Sequence, residues 1–113
     1  MPRSEKPLSL TTAKNQMPQT STLVATPRAS RYLQQLCKHW AHHFEASFDA
    51  NAGKVAFGSF GQAEFQATPE QLSILITATD EHLEETRRIV EDHLRRFAHD
   101  EVLQIEWMVT EAR

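Results

Sequence analysis

The chain has 113 residues, 40% hydrophobic and 24% charged, enough for one domain with a modest core and too little for a multidomain enzyme. A formal net charge of -3 and a pI near 6.0 argue against a general attraction to nucleic acid or anionic membrane, and the single cysteine rules out an internal disulfide. No apolar run approaches the roughly 20 residues of a membrane span, and the first residues lack the apolar centre of a secretory signal, so a cytoplasmic protein is expected.

Residues 1–20 are rich in Pro, Ser, Thr, Lys and Gln without a sustained apolar period, which predicts a disordered tail before a single domain over 21–113. Alternation from Ser21 to Ala25 predicts a first strand. Thr26 and Pro27 then read as the N-cap and first residue of a helix reaching His42 or His43. On that helix Leu33, Leu36, Cys37, Trp40 and Phe44 share one face, the recurrence of an amphipathic helix against a core. Phe44, Ala46 and Phe48 alternate with polar neighbours as a strand, Asn51 to Gly53 supplies a turn, and Val55 and Phe57 continue as strand. GSFG at 58–61 fits either a tight hairpin or a bulge, because Val55, Phe57, Ala63, Phe65 and Ala67 keep one phase. Thr68 to Gln71 suits a type I turn before the most apolar strand, with Leu72, Ile74, Ile76 and Ala78.

Asp80 is expected to cap a second helix whose buried stripe is Leu83, Thr86, Val90, Leu94 and Phe97, with Glu84–Arg88 and Glu91–Arg95 as ion pairs. Trp40 and Phe97 are expected to meet as core anchors. Leu103, Ile105, Trp107 and Val109 alternate as a last strand. The order β-α-β-β-(β)-β-α-β has too few crossover helices for a parallel sheet. It predicts an α+β fold, an antiparallel sheet of about five to six strands with two helices on one face. With the hairpin reading, the order before the last strand resembles the TATA-binding-protein-like topology, a likeness of fold alone.

Two groups of residues carry chemistry. His39 and His43 stand at the i,i+4 spacing that lets two imidazoles reach one metal, and His93 on the second helix would meet them if the helices pack side by side. Alternatively His93 is a core histidine donating to a backbone carbonyl, and Cys37 a small hydrophobe. The other group is Arg28, Arg31 and Lys38, in a run from Leu23 to Phe44 free of Asp and Glu. This cationic side could take an anionic ligand or acidic partner. A phosphate-cradling glycine loop, a metalloprotease HExxH and a nucleophile elbow are all missing, so a non-enzyme is expected.

The stretches YLQQLCKHWAHHF (32–44), FGSFGQAEF (57–65), HLRRFA (93–98) and EVLQIEW (101–107) together resemble a small bacterial family of unknown function. Its members occur alone or attached to siderophore-interacting, flavin-binding ferric reductases. The matching positions are Cys37, Lys38, His39, Trp40, His42, His93 and Phe97, while His43 stands where a lysine or arginine is expected. The resemblance implies iron and siderophore handling, and the expected function is a non-enzymatic accessory or ligand-binding domain linked to it, with the surface around Arg28, Arg31, Lys38, His39 and His93 as the interaction site. Its partner would be a siderophore-interacting flavin reductase or an anionic small ligand. The alternatives are a metal- or haem-binding protein, holding iron, zinc or haem with His39, His42, His43, His93 and Cys37, and a structural dimerisation domain.

Overall fold

The computed structural model describes residues 17–110, folded as strand β1 (Gln19–Ala25), helix α1 (Ala29–Trp40), strands β2 (Glu45–Phe48), β3 (Ala52–Ala56), β4 (Gly61–Ala67) and β5 (Gln71–Ala78), helix α2 (Leu83–Phe97) and strand β6 (Met108–Thr110). The six strands form one antiparallel sheet in the order β2-β3-β4-β5-β1-β6. Both helices cover the same face, α1 across β2, β3 and β4 and α2 across β5 and β1, in agreement with the predicted α+β class. The period of two in β5 places Leu72, Ile74, Ile76 and Ala78 wholly in the core. The opposite sheet face stays open to solvent and carries small and polar side chains such as Ser21, Gln62, Glu64 and Ser73, with Leu23 62% exposed among them.

The GSFG ambiguity resolves as a hairpin. Gly58–Phe60 form a single 3-10 turn between β3 and β4, closed by the Phe57 amide donating to the Gly61 carbonyl at 2.8 Å. Gly58 takes a φ of +71°, a conformation an L side chain adopts only with strain. Within β3, Gly53 lets α1 settle onto the sheet, because a Cβ there would lie 2.7 Å from the Cys37 Sγ and 3.2 Å from a Leu33 methyl.

Several expectations need correction. Strand β1 begins at Gln19, inside the expected tail, and Gln19 donates from Nε2 to the Thr77 hydroxyl; residues 1–16 lie outside the described residues. Thr26 does not cap α1. Its hydroxyl accepts from the Arg28 amide at 3.1 Å and donates to Glu101 at 3.0 Å, and the helix starts after Arg28. Asp80 does not cap α2 either, since a turn intervenes and His82 occupies the cap position, its amide donating to the Thr79 carbonyl. Arg87 takes the place expected of Arg88, pairing with both Glu84 and Glu91, while the Glu91–Arg95 pair forms at 3.0 Å.

The last strand shrinks to Met108–Thr110 beside β1. Residues 102–107 alternate because they pack along α2. Leu103 is buried and its carbonyl accepts from Arg95, and the Trp107 indole donates to Glu91 at 2.8 Å. Bonds to α2 therefore replace a sheet ladder there. Trp40 is a core anchor at 4% exposure, whereas Phe97 is only half-buried and packs its ring against His39 instead of Trp40.

Candidate functional site

The C-terminal end of α1, the β3–β4 hairpin and the N-terminal half of α2 converge on one cleft. Its walls are Trp40, Phe44, Phe57, Phe60 and Ile89, and its polar groups are His82, Glu85 and Thr86. Trp40 is fixed behind it, edge-on to Phe57 with ring centroids 5.3 Å apart and stacked near Phe65 at 6.3 Å. Phe44 meets Phe57 edge-on at 5.1 Å, and Phe60 stacks on the His82 ring at 4.1 Å. The Nδ1 of His82 is held in turn by the Thr79 hydroxyl at 2.9 Å. The rim chains Phe44, Phe60 and Ile89 remain 38%, 47% and 40% exposed, so a bound apolar group would remove all of them from water together. Such burial stabilises by about 25 cal/mol per Å². The cleft measures about 200 Å³. Pockets for drug-sized ligands measure about 300–1,000 Å³, so it seats one ring or short alkyl group. Larger hollows over β2–β4 and along α1 are shallow.

Behind Trp40, the helices bring His39 and His93 together with ring centroids 4.9 Å apart and planes tilted by 44°. The His93 Nδ1 lies 2.8 Å from the Ile89 carbonyl, to which it donates, and its ring packs on Trp40 at 5.2 Å. His39 is shifted below its usual range, first by partial desolvation under neighbouring rings and then by the positive charge of His93, His42, His43 and Arg96. His42 and His43 lie on the turn after α1. Among the described residues no cluster of three or more His, Cys, Asp or Glu has metal-holding geometry.

Of the expected cations, Arg28 is engaged. It lies 3.1 Å from Asp100 and one turn before Tyr32, whose hydroxyl donates to Glu101 at 2.5 Å. The neighbouring Tyr32 and then the Asp100 charge raise the Arg28 pKa. This network fastens the loop after α2 to the start of α1. Arg31 and Lys38 line a shallow groove with Ser30, Gln34, Gln35 and Phe48, and neither forms an ion pair among the described residues.

A family profile described as an uncharacterized protein conserved in bacteria, DUF2218, matches residues 21–108. The chain belongs to this family. The DUF2218 chain is also similar to a solved structure, the NMR structure of PA4090 from Pseudomonas aeruginosa. The two share 36% identity over 85% of this chain and 99% of that one, with a TM-score of 0.70. No curated protein matches.

The DUF2218 structure unites His39 with His93 and separates Cys37 from both, since Cys37 sits in the core against Gly53. Burial pushes its thiol up to about 11, which leaves little thiolate to bind metal or react. The native protein should therefore resist a thiol reagent such as DTNB at about pH 8 and react fully once unfolded in urea. Rapid stoichiometric labelling without denaturant would place Cys37 at the surface and contradict this core. The sequence reading missed Phe44, Phe57, Phe60, His82, Glu85 and Ile89 as a common site. No local signal marked it, since a single exposed aromatic such as Phe60 is ordinary and only the patch it forms with Phe44 and Ile89 is informative.

Proposed function

We propose that this DUF2218 protein is a non-catalytic, cytoplasmic accessory domain that seats an apolar or aromatic part of a small ligand in its cleft, in the service of iron or siderophore handling. The convergence of the part-exposed Phe44, Phe60 and Ile89 on a hollow backed by buried Trp40 and Phe57 carries the ligand-binding reading. The siderophore connection rests on the sequence resemblance. An anionic portion of the ligand, or a flavin reductase partner, would meet Arg31 and Lys38 more readily than Arg28, which Asp100 already pairs.

Chemical-shift mapping with a gallium-loaded catecholate siderophore tests the reading, gallium standing in as a diamagnetic substitute for ferric iron. Shifts are expected at Phe44, Phe57 to Gly61 and His82 to Ile89, and a Phe60→Glu, Ile89→Glu variant should lose them. Shifts confined to Arg31, Gln34 and Lys38 would move the site to the basic side of α1. No saturable shift with catecholate or hydroxamate complexes would reject the siderophore reading.

A further inference from the structure

We propose that His39 and His93 form a two-imidazole site for a late first-row divalent metal ion, such as nickel, copper or zinc, gripped between the two helices. The ring separation matches that of a shared ion. Two imidazole nitrogens about 2.0–2.1 Å from one metal, at a roughly tetrahedral angle, bring their ring centres about 5 Å apart. The observed separation is 4.9 Å. The bond from His93 Nδ1 to the Ile89 carbonyl settles its tautomer with the proton on Nδ1, leaving the Nε2 lone pair to ligate. A backbone carbonyl on the far nitrogen is the usual orienting partner of a metal-bound histidine. Trp40 packs on His93 and Phe97 on His39, with ring centroids at 5.2 and 6.0 Å, so apolar walls hold both imidazoles in place.

The surroundings decide which ions fit. Imidazole donors suit nickel, copper and zinc, whereas calcium and magnesium demand oxygen ligands. Among the described residues no third His, Cys, Asp or Glu completes the set, so the remaining coordination positions stay open. Arg96 makes the neighbourhood positive, which opposes a bare dication and favours a metal whose other positions carry water or anionic donors. This site is independent of the ligand-binding reading of the cleft, although Trp40 forms a wall of both.

Calorimetric titration of the tag-free full chain with nickel chloride at about pH 7.5 tests the assignment. The expected result is one saturable site per chain. His39→Gln and His93→Gln should each weaken it by more than about tenfold, the lower end of the loss from disturbing even an outer partner of a metal-bound histidine. His99→Gln, on the loop by Asp100, should bind as the parent does. His39 is exposed, so its variant keeps the fold and the test does not depend on the stability of His93→Gln. With zinc, a long-range proton–nitrogen spectrum should show the His93 Nε2 shifted and its Nδ1 still protonated. Unchanged binding in the His39→Gln, His93→Gln double variant would overturn the proposal. So would loss in His42→Gln, His43→Gln with His93→Gln unaffected, which would place the ion along α1 and its turn, and so would no binding by the parent.

Discussion

Trp40→Ala is expected to remove about 3–5 kcal/mol of stability, the cost of truncating a buried aromatic when its surroundings cannot collapse. Trp40 is 4% exposed, and its neighbours belong to separate elements: Phe57 at the end of β3, Phe65 on β4 and His93 on α2. None of them can follow the missing ring without leaving its own strand or helix, so the cavity stays open. Domains of this size are held by about 5–15 kcal/mol, so the loss would be a large share of the total. With a urea dependence of about 1–3 kcal/mol per molar, the midpoint by far-UV circular dichroism should fall by at least about 1 M at unchanged slope. Ile89→Ala, on the 40% exposed rim of the same cleft, should cost less than Trp40→Ala, since its side chain already meets water. Equal midpoints for these variants would mean that Trp40 is not sealed in the core.

Local periodicity carried most of the fold. The alternation in β5, the apolar face of α1 and the stripe of α2 were readable because each repeats over enough residues to name its buried side: Leu72 to Ala78, Leu33 to Trp40, Thr86 to Leu94. Periodicity failed where a second element could satisfy the same pattern. Leu103, Ile105 and Trp107 alternate like strand residues, yet Arg95 and Glu91 bind that segment to α2. Caps failed because Thr26 and Asp80 have the right chemistry at positions where turns intervene before the helix. The candidate sites were half-legible. The spacing of His39 and His43 drew attention to the first helix, but His39 finds His93 across the interface, which only the packing angle of the helices decides. The cleft was hidden because Phe44, Phe60 and Ile89 lie on separate stretches, and nothing local tells that three exposed apolar residues face one another.

Gly61→Ala is expected to be the costliest change in the hairpin, at about 3 kcal/mol or more, from a strained backbone of about 1–3 kcal/mol combined with overpacking of similar size. Gly61 opens β4 at φ +155°, directly opposite Ala78 on β5. A Cβ there would lie 2.2 Å from the Thr77 carbonyl oxygen and 2.6 Å from the Ala78 Cα. Both are backbone atoms within the sheet, so no rotamer change relieves the clash, and the strands must separate where Thr79 donates to the Phe60 carbonyl at 3.0 Å. Gly58 provides the control. Its φ of +71° is also costly for alanine, yet a Cβ there meets nothing within 4 Å. Gly58→Ala should therefore cost only the left-handed conformation, roughly 1–2 kcal/mol, and Gly58→Asn still less, because asparagine enters that region with a local hydrogen bond. Urea midpoints for the three variants separate steric exclusion from conformational strain. If Gly61→Ala and Gly58→Ala were equally destabilising, the close approach of β4 to β5 would be wrong. The distinction reaches the cleft as well. This hairpin presents Phe57 and Phe60, so Gly58→Asn should preserve any ligand response, whereas Gly61→Ala should lose it even under conditions that keep the protein folded.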